Sequence, residues 1–271
     1  MGSRPLGQTG LEVTRLGLGL AAVGRPAYLN LGRSRDLGPD RGVARLEQRT
    51  HRLLDAAWRA GVRYVDTARS YGRAEAFLSS WLRQRGLAAG ALTVGTKWGY
   101  EYVGGWQVHA EVHEIKDHSL GMLRRQVAES RELLGDHLAL LQIHSATPET
   151  GVLEDRRVLE ELGEVRAQGL VIGLTVSGPT QAETVRRALE AQVDGENPFQ
   201  CVQATWNLLE RSTGDALAEA HAAGWGVIVK EALANGRLAV PARVPWLLAS
   251  LADRHRLGLD AVALAVVLGQ P

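Results

Sequence analysis

With 271 residues and 45% hydrophobic content, the chain can bury one large core, and a single domain spanning 1–271 is expected. Its 31 basic and 30 acidic residues are interspersed and leave a net charge of +1, which argues against nucleic acid or a charged membrane surface as partner and for a small molecule. No apolar run approaches the ~20 residues needed to span a bilayer, and residues 1–5 carry no apolar signal region, so the expected location is cytoplasmic. The lone cysteine, Cys201, lies in an apolar stretch and reads as core.

In chain order, residues 4–13 hold two short extended pieces around a Gly-containing turn, which predicts a hairpin closing one barrel mouth. Apolar runs follow at 16–21, 62–66, 92–97, 138–144, 171–177, 199–205 and 226–230, separated by longer amphipathic segments, the pattern of β-α units feeding a parallel sheet. A helix is predicted over 46–58, where Leu46, Leu53, Leu54, Ala57 and Trp58 recur at helical spacing. Thr180 to Glu183 reads as a capping box opening a later helix. Residues 24–40 and 98–119 break the rhythm and are predicted as loops, while 246–251 and 261–268 are predicted helical. The expected fold class is α/β, a (β/α)8 TIM barrel with an N-terminal hairpin. Seven of its eight strands are found, so the eighth strand and its following helix are expected to be absent from a truncated chain.

Three consecutive runs end in polar groups: Asp66, Lys97 and His144, with Tyr71 five residues after Asp66. In a parallel β/α barrel, strand ends share one mouth. A tyrosine is a poor acid at neutral pH, but a neighbouring ammonium stabilises its phenolate, and Lys97 can supply that charge. Asp66 can hold the ammonium charged, and His144 can orient a substrate oxygen. Taken singly, each has a structural explanation as a turn cap or rim residue. Together they make a proton donor with a polariser, which carbonyl reduction requires opposite an incoming hydride. Lysine itself is rare here: only Lys97, Lys116 and Lys230 occur among the 31 basic residues.

The segments Val65-Asp66-Thr67-Ala68, Ser70-Tyr71-Gly72, Gly95-Thr96-Lys97 and Gln142-Ile143-His144, with an opening Arg-Pro-Leu-Gly-Gln-Thr-Gly-Leu-Glu-Val at 4–13, resemble the aldo-keto reductases. The resemblance implies an NAD(P)H-dependent oxidoreductase reducing an aldehyde or ketone, or the reverse, with Tyr71 as general acid, Lys97 and Asp66 tuning it and His144 orienting the carbonyl. It implies NADPH as the usual cofactor, with NADH left open, since the family's loop for the adenosine 2′-phosphate, which would decide between them, falls beyond residue 271. For cofactor binding it points to Ser177, Gln203, Lys230 and Asn235. Two positions depart from the pattern: Gly178 stands where an asparagine is common, and Lys230 where many members carry a nicotinamide-stacking tyrosine.

Trp98, Trp106 and Trp206, with Tyr100 and Tyr102, are candidate walls of the substrate pocket and suggest aromatic or cyclic carbonyl compounds. His109, His113 and His118 make a metal-like set, but not in the H-E-x-x-H order, and no metal is expected. Gly17 to Ala22 fits a short dinucleotide fingerprint, yet Val23-Gly24-Arg25-Pro26 follows where a helix should open, which argues against a Rossmann fold. The alternative to an enzyme is a non-catalytic, nicotinamide-binding regulatory barrel.

Overall fold

The computed structural model describes residues 2–27, 38–240 and 246–270. Strands β1 (Ser3–Pro5) and β2 (Glu12–Thr14) pair antiparallel as the predicted hairpin. All seven predicted strands form: β3 (Leu18–Gly19), β4 (Tyr64–Asp66), β5 (Thr93–Trp98), β8 (Leu138–Ala146), β9 (Val171–Val176), β10 (Cys201–Thr205) and β11 (Gly226–Lys230). They make one parallel sheet in the order β11-β10-β9-β8-β5-β4-β3. Among the described residues, no strand pairs with the outer edge of β3 or of β11.

The predicted loop over 98–119 proves more ordered, because β6 (Tyr100–Tyr102) and β7 (Glu114–Lys116) pair antiparallel within it. Three-residue strands are too short for their alternation to register as a period. Of the other predicted loop, 24–40, residues 28–37 lie outside the described residues.

Helices α1 (Val43–Arg59), α2 (Ala74–Arg85), α3 (Leu120–Leu134), α4 (Arg156–Ala167), α5 (Gln181–Glu190) and α6 (Gly214–Ala222) connect the strands, followed by α7 (Trp246–His255) and α8 (Leu259–Leu268). On α1 the buried stripe is Leu46, Thr50 and Leu54, at i, i+4 and i+8, whereas Leu53 is 41% exposed. The expected capping box at α5 does not form. Thr180 has φ −93° and ψ 10°, outside the extended conformation of a side-chain cap, and Glu183 pairs instead with Arg187 one turn on, at 2.6 Å.

The sheet curls, and strand alternation sorts its concave face into layers. Tyr64, Leu140 and Cys201, from β4, β8 and β10, meet in one apolar cluster with Val171 and with Leu6 and Val13 of the hairpin. Two residues further along the same three strands stand Asp66, Gln142 and Gln203, so an apolar floor gives way to a polar layer toward the carboxyl ends of the strands. The hairpin seals the floor. Arg63 N donates to Thr14 Oγ1 at 2.8 Å, Thr93 Oγ1 to the Glu12 carbonyl at 2.8 Å, and Gln8 N to the Gly224 carbonyl at 2.8 Å, tying it from β4 across to the approach to β11. The convex face packs against the helices in two larger clusters, one around α3 to α6 and one around α1 and α2.

Candidate active site

Asp66, Tyr71, Lys97 and His144 come together at the carboxyl ends of β4, β5 and β8. The Lys97 side chain is 1% exposed, and its ammonium donates to the Asp66 carboxylate, to the Thr67 carbonyl at 2.9 Å and to the Tyr71 hydroxyl. Those acceptors use all three donors of an ammonium. Burial acts to lower the lysine's pKa, but the charge of Asp66 and the Tyr71 oxygen outweigh it, so the group is held charged above the ordinary lysine range. The ammonium lies 5.0 Å from the centre of the Tyr71 ring.

Asp66 is the hub of the polar layer. Its Oδ1 accepts from Gln203 Nε2 at 3.0 Å, Tyr64 OH at 3.2 Å and Gln142 Nε2 at 3.4 Å. Burial and the Asp66 charge push the Tyr64 pKa well up, which keeps its hydroxyl a neutral donor. Tyr64 and Gln142 were not among the residues expected from the sequence, yet each is legible there: Tyr64 lies two residues before Asp66 and Gln142 two before His144, on the same face of a strand.

Tyr71 is placed by backbone packing. A side chain on Gly24 would collide with the Tyr71 carbonyl, and one on Gly72, at φ 65°, with the Gly24 carbonyl. Arg73 N also donates to the Gly24 carbonyl at 2.7 Å, so the loop after β4 sits directly on the loop after β3. Behind it lies the carboxylate of Glu75, which is 2% exposed. It accepts from Arg69 Nη1 at 2.5 Å, Thr96 Oγ1 at 2.5 Å and Ser130 Oγ at 2.8 Å. Arg69 precedes Tyr71 by two residues and Thr96 adjoins Lys97, so this buried carboxylate clamps both sides of the Tyr71–Lys97 pair. A buried charge is tolerated only when paired and hydrogen-bonded in this way.

His144 packs edge-on to Tyr71, with ring centroids 5.5 Å apart, and lies 4.9 Å from Tyr100. Its Nδ1 lies 3.3 Å from Ser70 Oγ. Burial, joined by the positive fields of Lys97, Lys230, His118 and Arg25, holds its pKa well below the ordinary histidine range, so the imidazole is neutral at pH 7. Its carbonyl accepts from His118 Nε2 at 2.9 Å, and burial lowers the His118 pKa to about 4. His118 occupies space that only a glycine leaves open, since a side chain on Gly99, at φ 106°, would overlap its ring. Arg25, 4% exposed, closes the mouth by bonding the Ser70 carbonyl at 3.2 Å and Glu114 of β7 at 2.7 Å.

The expected pocket tryptophans separate. Trp98 is fully buried, edge-on to His118, and Trp106 packs against Phe77 and donates to the Arg41 carbonyl at 2.9 Å. Neither borders the main cavity, whereas Trp206 does. Tyr100 takes the position beside His144 that a pocket wall would occupy. Of the metal-like histidines, His118 is committed to the His144 carbonyl, and among the described residues no cluster of three or more His, Cys, Asp or Glu has metal-holding geometry. Cys201 is buried, its thiol pKa pushed up by burial.

On the other side of Asp66 a cavity of about 1130 Å³ opens along β10, β11 and α8, lined by Asp66, Gln203, Trp206, Lys230, Asn235 and Leu268. Three of the four expected cofactor residues, Gln203, Lys230 and Asn235, face it. Ser177 directly follows β9. Gln203 commits Nε2 to Asp66 and leaves Oε1 for a ligand donor, and the volume exceeds the roughly 300–1,000 Å³ of ordinary small-molecule pockets, leaving room for a dinucleotide, so the residues present fit a nicotinamide cofactor.

The chain is similar to known proteins in sequence and in fold. The sequence profile of the aldo/keto reductase family matches residues 38–241. The chain is 28% identical over 266 residues to pyridoxal 4-dehydrogenase of Microbacterium luteolum, covering 88% of this chain and 72% of that protein. It is 29% identical over 251 residues to D-threo-aldose 1-dehydrogenase of a Pseudomonas species, covering 85% and 69%. The structure of PA4992 from Pseudomonas aeruginosa superposes with a TM-score of 0.65 at 26% identity, covering 99% of this chain and 94% of that one. The fold is also that of the aldo-keto reductase AKR11C1 from Bacillus halodurans, with a TM-score of 0.73 at 21% identity, covering 100% and 83%. With a profile match over most of its length, the chain belongs to the aldo/keto reductase family.

Proposed function

We propose that this chain is an NAD(P)H-dependent oxidoreductase that interconverts a carbonyl compound and its alcohol, with the chemistry at Tyr71. The observation that carries the reading is the saturated Lys97 ammonium, which gives one donor to Asp66, one to the Thr67 carbonyl and one to the Tyr71 hydroxyl. When bound, the nicotinamide cofactor supplies the hydride that adds to the carbonyl carbon. The Tyr71 hydroxyl gives its proton to the carbonyl oxygen as the π pair moves there, and the phenolate left behind is stabilised by Lys97. Asp66 favours the charged form of Lys97 in a site where burial acts to lower its pKa.

His144, neutral at pH 7, takes the orienting role. If Nδ1 accepts from the Ser70 hydroxyl, Nε2 carries the proton and donates to the carbonyl oxygen. Ser177, Gln203 and Asn235 hold the cofactor, with Lys230 on the same rim; both NADPH and NADH suit them. Tyr100, beside His144, and Trp206, on the cavity wall, favour aromatic or cyclic carbonyl compounds, in keeping with relatives named for pyridoxal and for an aldose.

The test is Tyr71→Phe, assayed with NADPH across aromatic and short aliphatic aldehydes. Turnover should fall about 10²- to 10⁴-fold, the usual contribution of a positioned general acid. An unchanged rate overturns the assignment, and equal efficiency with short aliphatic aldehydes overturns the aromatic preference.

A further inference from the structure

The three lysines of this arginine-rich chain differ in one respect. Lys97 is saturated, and Lys116 donates to the Ser145 carbonyl at 3.0 Å while lying 5.3 Å from the centre of the Tyr100 ring. Lys230 has no hydrogen bond or ion pair to any described residue. It is nevertheless partly buried, at the end of β11, opposite Thr205 in the sheet register and on the wall of the cavity that reaches Asp66. Its neighbour Glu231 favours the ammonium through its charge but makes no hydrogen bond or ion pair with it: Glu231 stands at φ 56°, is exposed, and its carboxylate accepts from Thr205 Oγ1 at 3.3 Å. Burial, joined by the charge of Lys97, outweighs the opposing charges of Glu231 and Asp66 and lowers the Lys230 pKa from the ordinary lysine value. An ammonium left without an acceptor in a ligand-sized cavity is costly to maintain unless a bound molecule supplies the acceptor.

We propose that Lys230 is the receptor for an oxyanion, a carboxylate or phosphate, on a molecule held in this cavity. Lys230 lines the same cavity as Asp66, the partner of the Lys97 ammonium, which places it on the side of the cavity where a carbonyl would react. That proximity favours an anionic group on the carbonyl substrate, so the substrate class is an aldehyde or ketone bearing a carboxylate or phosphate. The cofactor's own phosphates are the other source of the same chemistry. This inference deepens the oxidoreductase reading and rests on it for the identity of the reacting group, but not for the oxyanion site.

The experiment compares wild type, Lys230→Met and Lys230→Arg. It follows benzoate binding by isothermal titration, NADPH binding by tryptophan fluorescence, and kcat/KM for 4-carboxybenzaldehyde relative to 4-methylbenzaldehyde. Lys230→Met should reduce benzoate affinity and the preference for the carboxylated aldehyde by at least about tenfold, the worth of one hydrogen bond from a charged donor, and Lys230→Arg should restore part of both. A tenfold loss confined to NADPH affinity supports the oxyanion receptor and assigns the oxyanion to the cofactor, overturning the anionic-substrate form. Benzoate affinity, NADPH affinity and aldehyde preference all unaffected by Lys230→Met would overturn the receptor itself. If wild type reduces no carbonyl, the oxidoreductase reading fails, while the two binding titrations still decide the role of Lys230.

Discussion

The two sides of the site are built on opposite principles. On the side of β4, β5 and β8, the charged groups are spoken for, although the buried Gln142 Oε1 and Thr67 Oγ1 have no partner: Asp66 accepts from Lys97, Gln203, Tyr64 and Gln142, Lys97 spends all its donors, and Glu75 closes the network from behind. On the side of β10 and β11, Gln203 keeps Oε1 uncommitted, Lys230 has no partner among the described residues, and a cavity of about 1130 Å³ lies in front of them. A group that must hold its charge and aim through a reaction is best fixed before substrate arrives, because reorganisation during the reaction costs rate. A group that recognises a ligand is best left wanting, because its unmet hydrogen bond becomes part of the affinity.

The comparison breaks most sharply at Asp66. Asp66→Asn leaves the Lys97 ammonium 1% exposed without a counter-charge, and removing one partner of a buried pair costs about 3–5 kcal/mol. The urea midpoint should fall accordingly, and the rate should drop with it. Lys230→Met on the opposite side should leave the midpoint nearly unmoved. Equal destabilisation by the two variants would erase the distinction between the sides.

A smaller effect appears with pH. Burial holds His118 at a pKa of about 4 in the folded protein, against an ordinary value of 6.5. The unfolded chain therefore binds the proton more tightly, so this contribution to stability is complete above about pH 6.5 and is lost as the pH falls toward 4, on the order of 3 kcal/mol in all. His144, shifted in the same direction by burial, adds to the slope. Urea titrations at pH 7 and pH 5 should show the loss, and His118→Phe should flatten it; an identical slope in the variant would mean that other groups carry it.

Glu75→Gln sharpens the comparison most gently. Arg69 loses Glu75 but keeps Glu129 at 2.6 Å, so the expected cost is about 1–3 kcal/mol. Turnover should fall more than substrate affinity, because the amide still fills the space but no longer draws Arg69 and Thr96 together. A change in KM alone would assign Glu75 to binding.

Much of this organisation could be read from the residues in order. The seven apolar runs became seven strands because a run of β-branched and aliphatic residues between amphipathic segments has few other places to go; β4 ends on Asp66, while β5 and β8 run one and two residues past Lys97 and His144. Gln142 and Tyr64 belonged to the same alternation and were equally open to reading. Glu75 and Arg25 were not. Each is a charged residue on a helix or loop whose burial depends on partners far along the chain, Ser130 in one case and Glu114 in the other.

Local sequence thus determined the strands, their order of polar ends and the identity of the four groups at the mouth, because strand alternation and turn chemistry act over a few residues. Only the tertiary structure decided that Trp98 belongs to the core, that Tyr100 stands beside His144, and that Lys97 is satisfied while Lys230 is not. Those outcomes depend on which side chains meet across the curled sheet, and no short-range preference encodes a contact between residues that far apart in the chain.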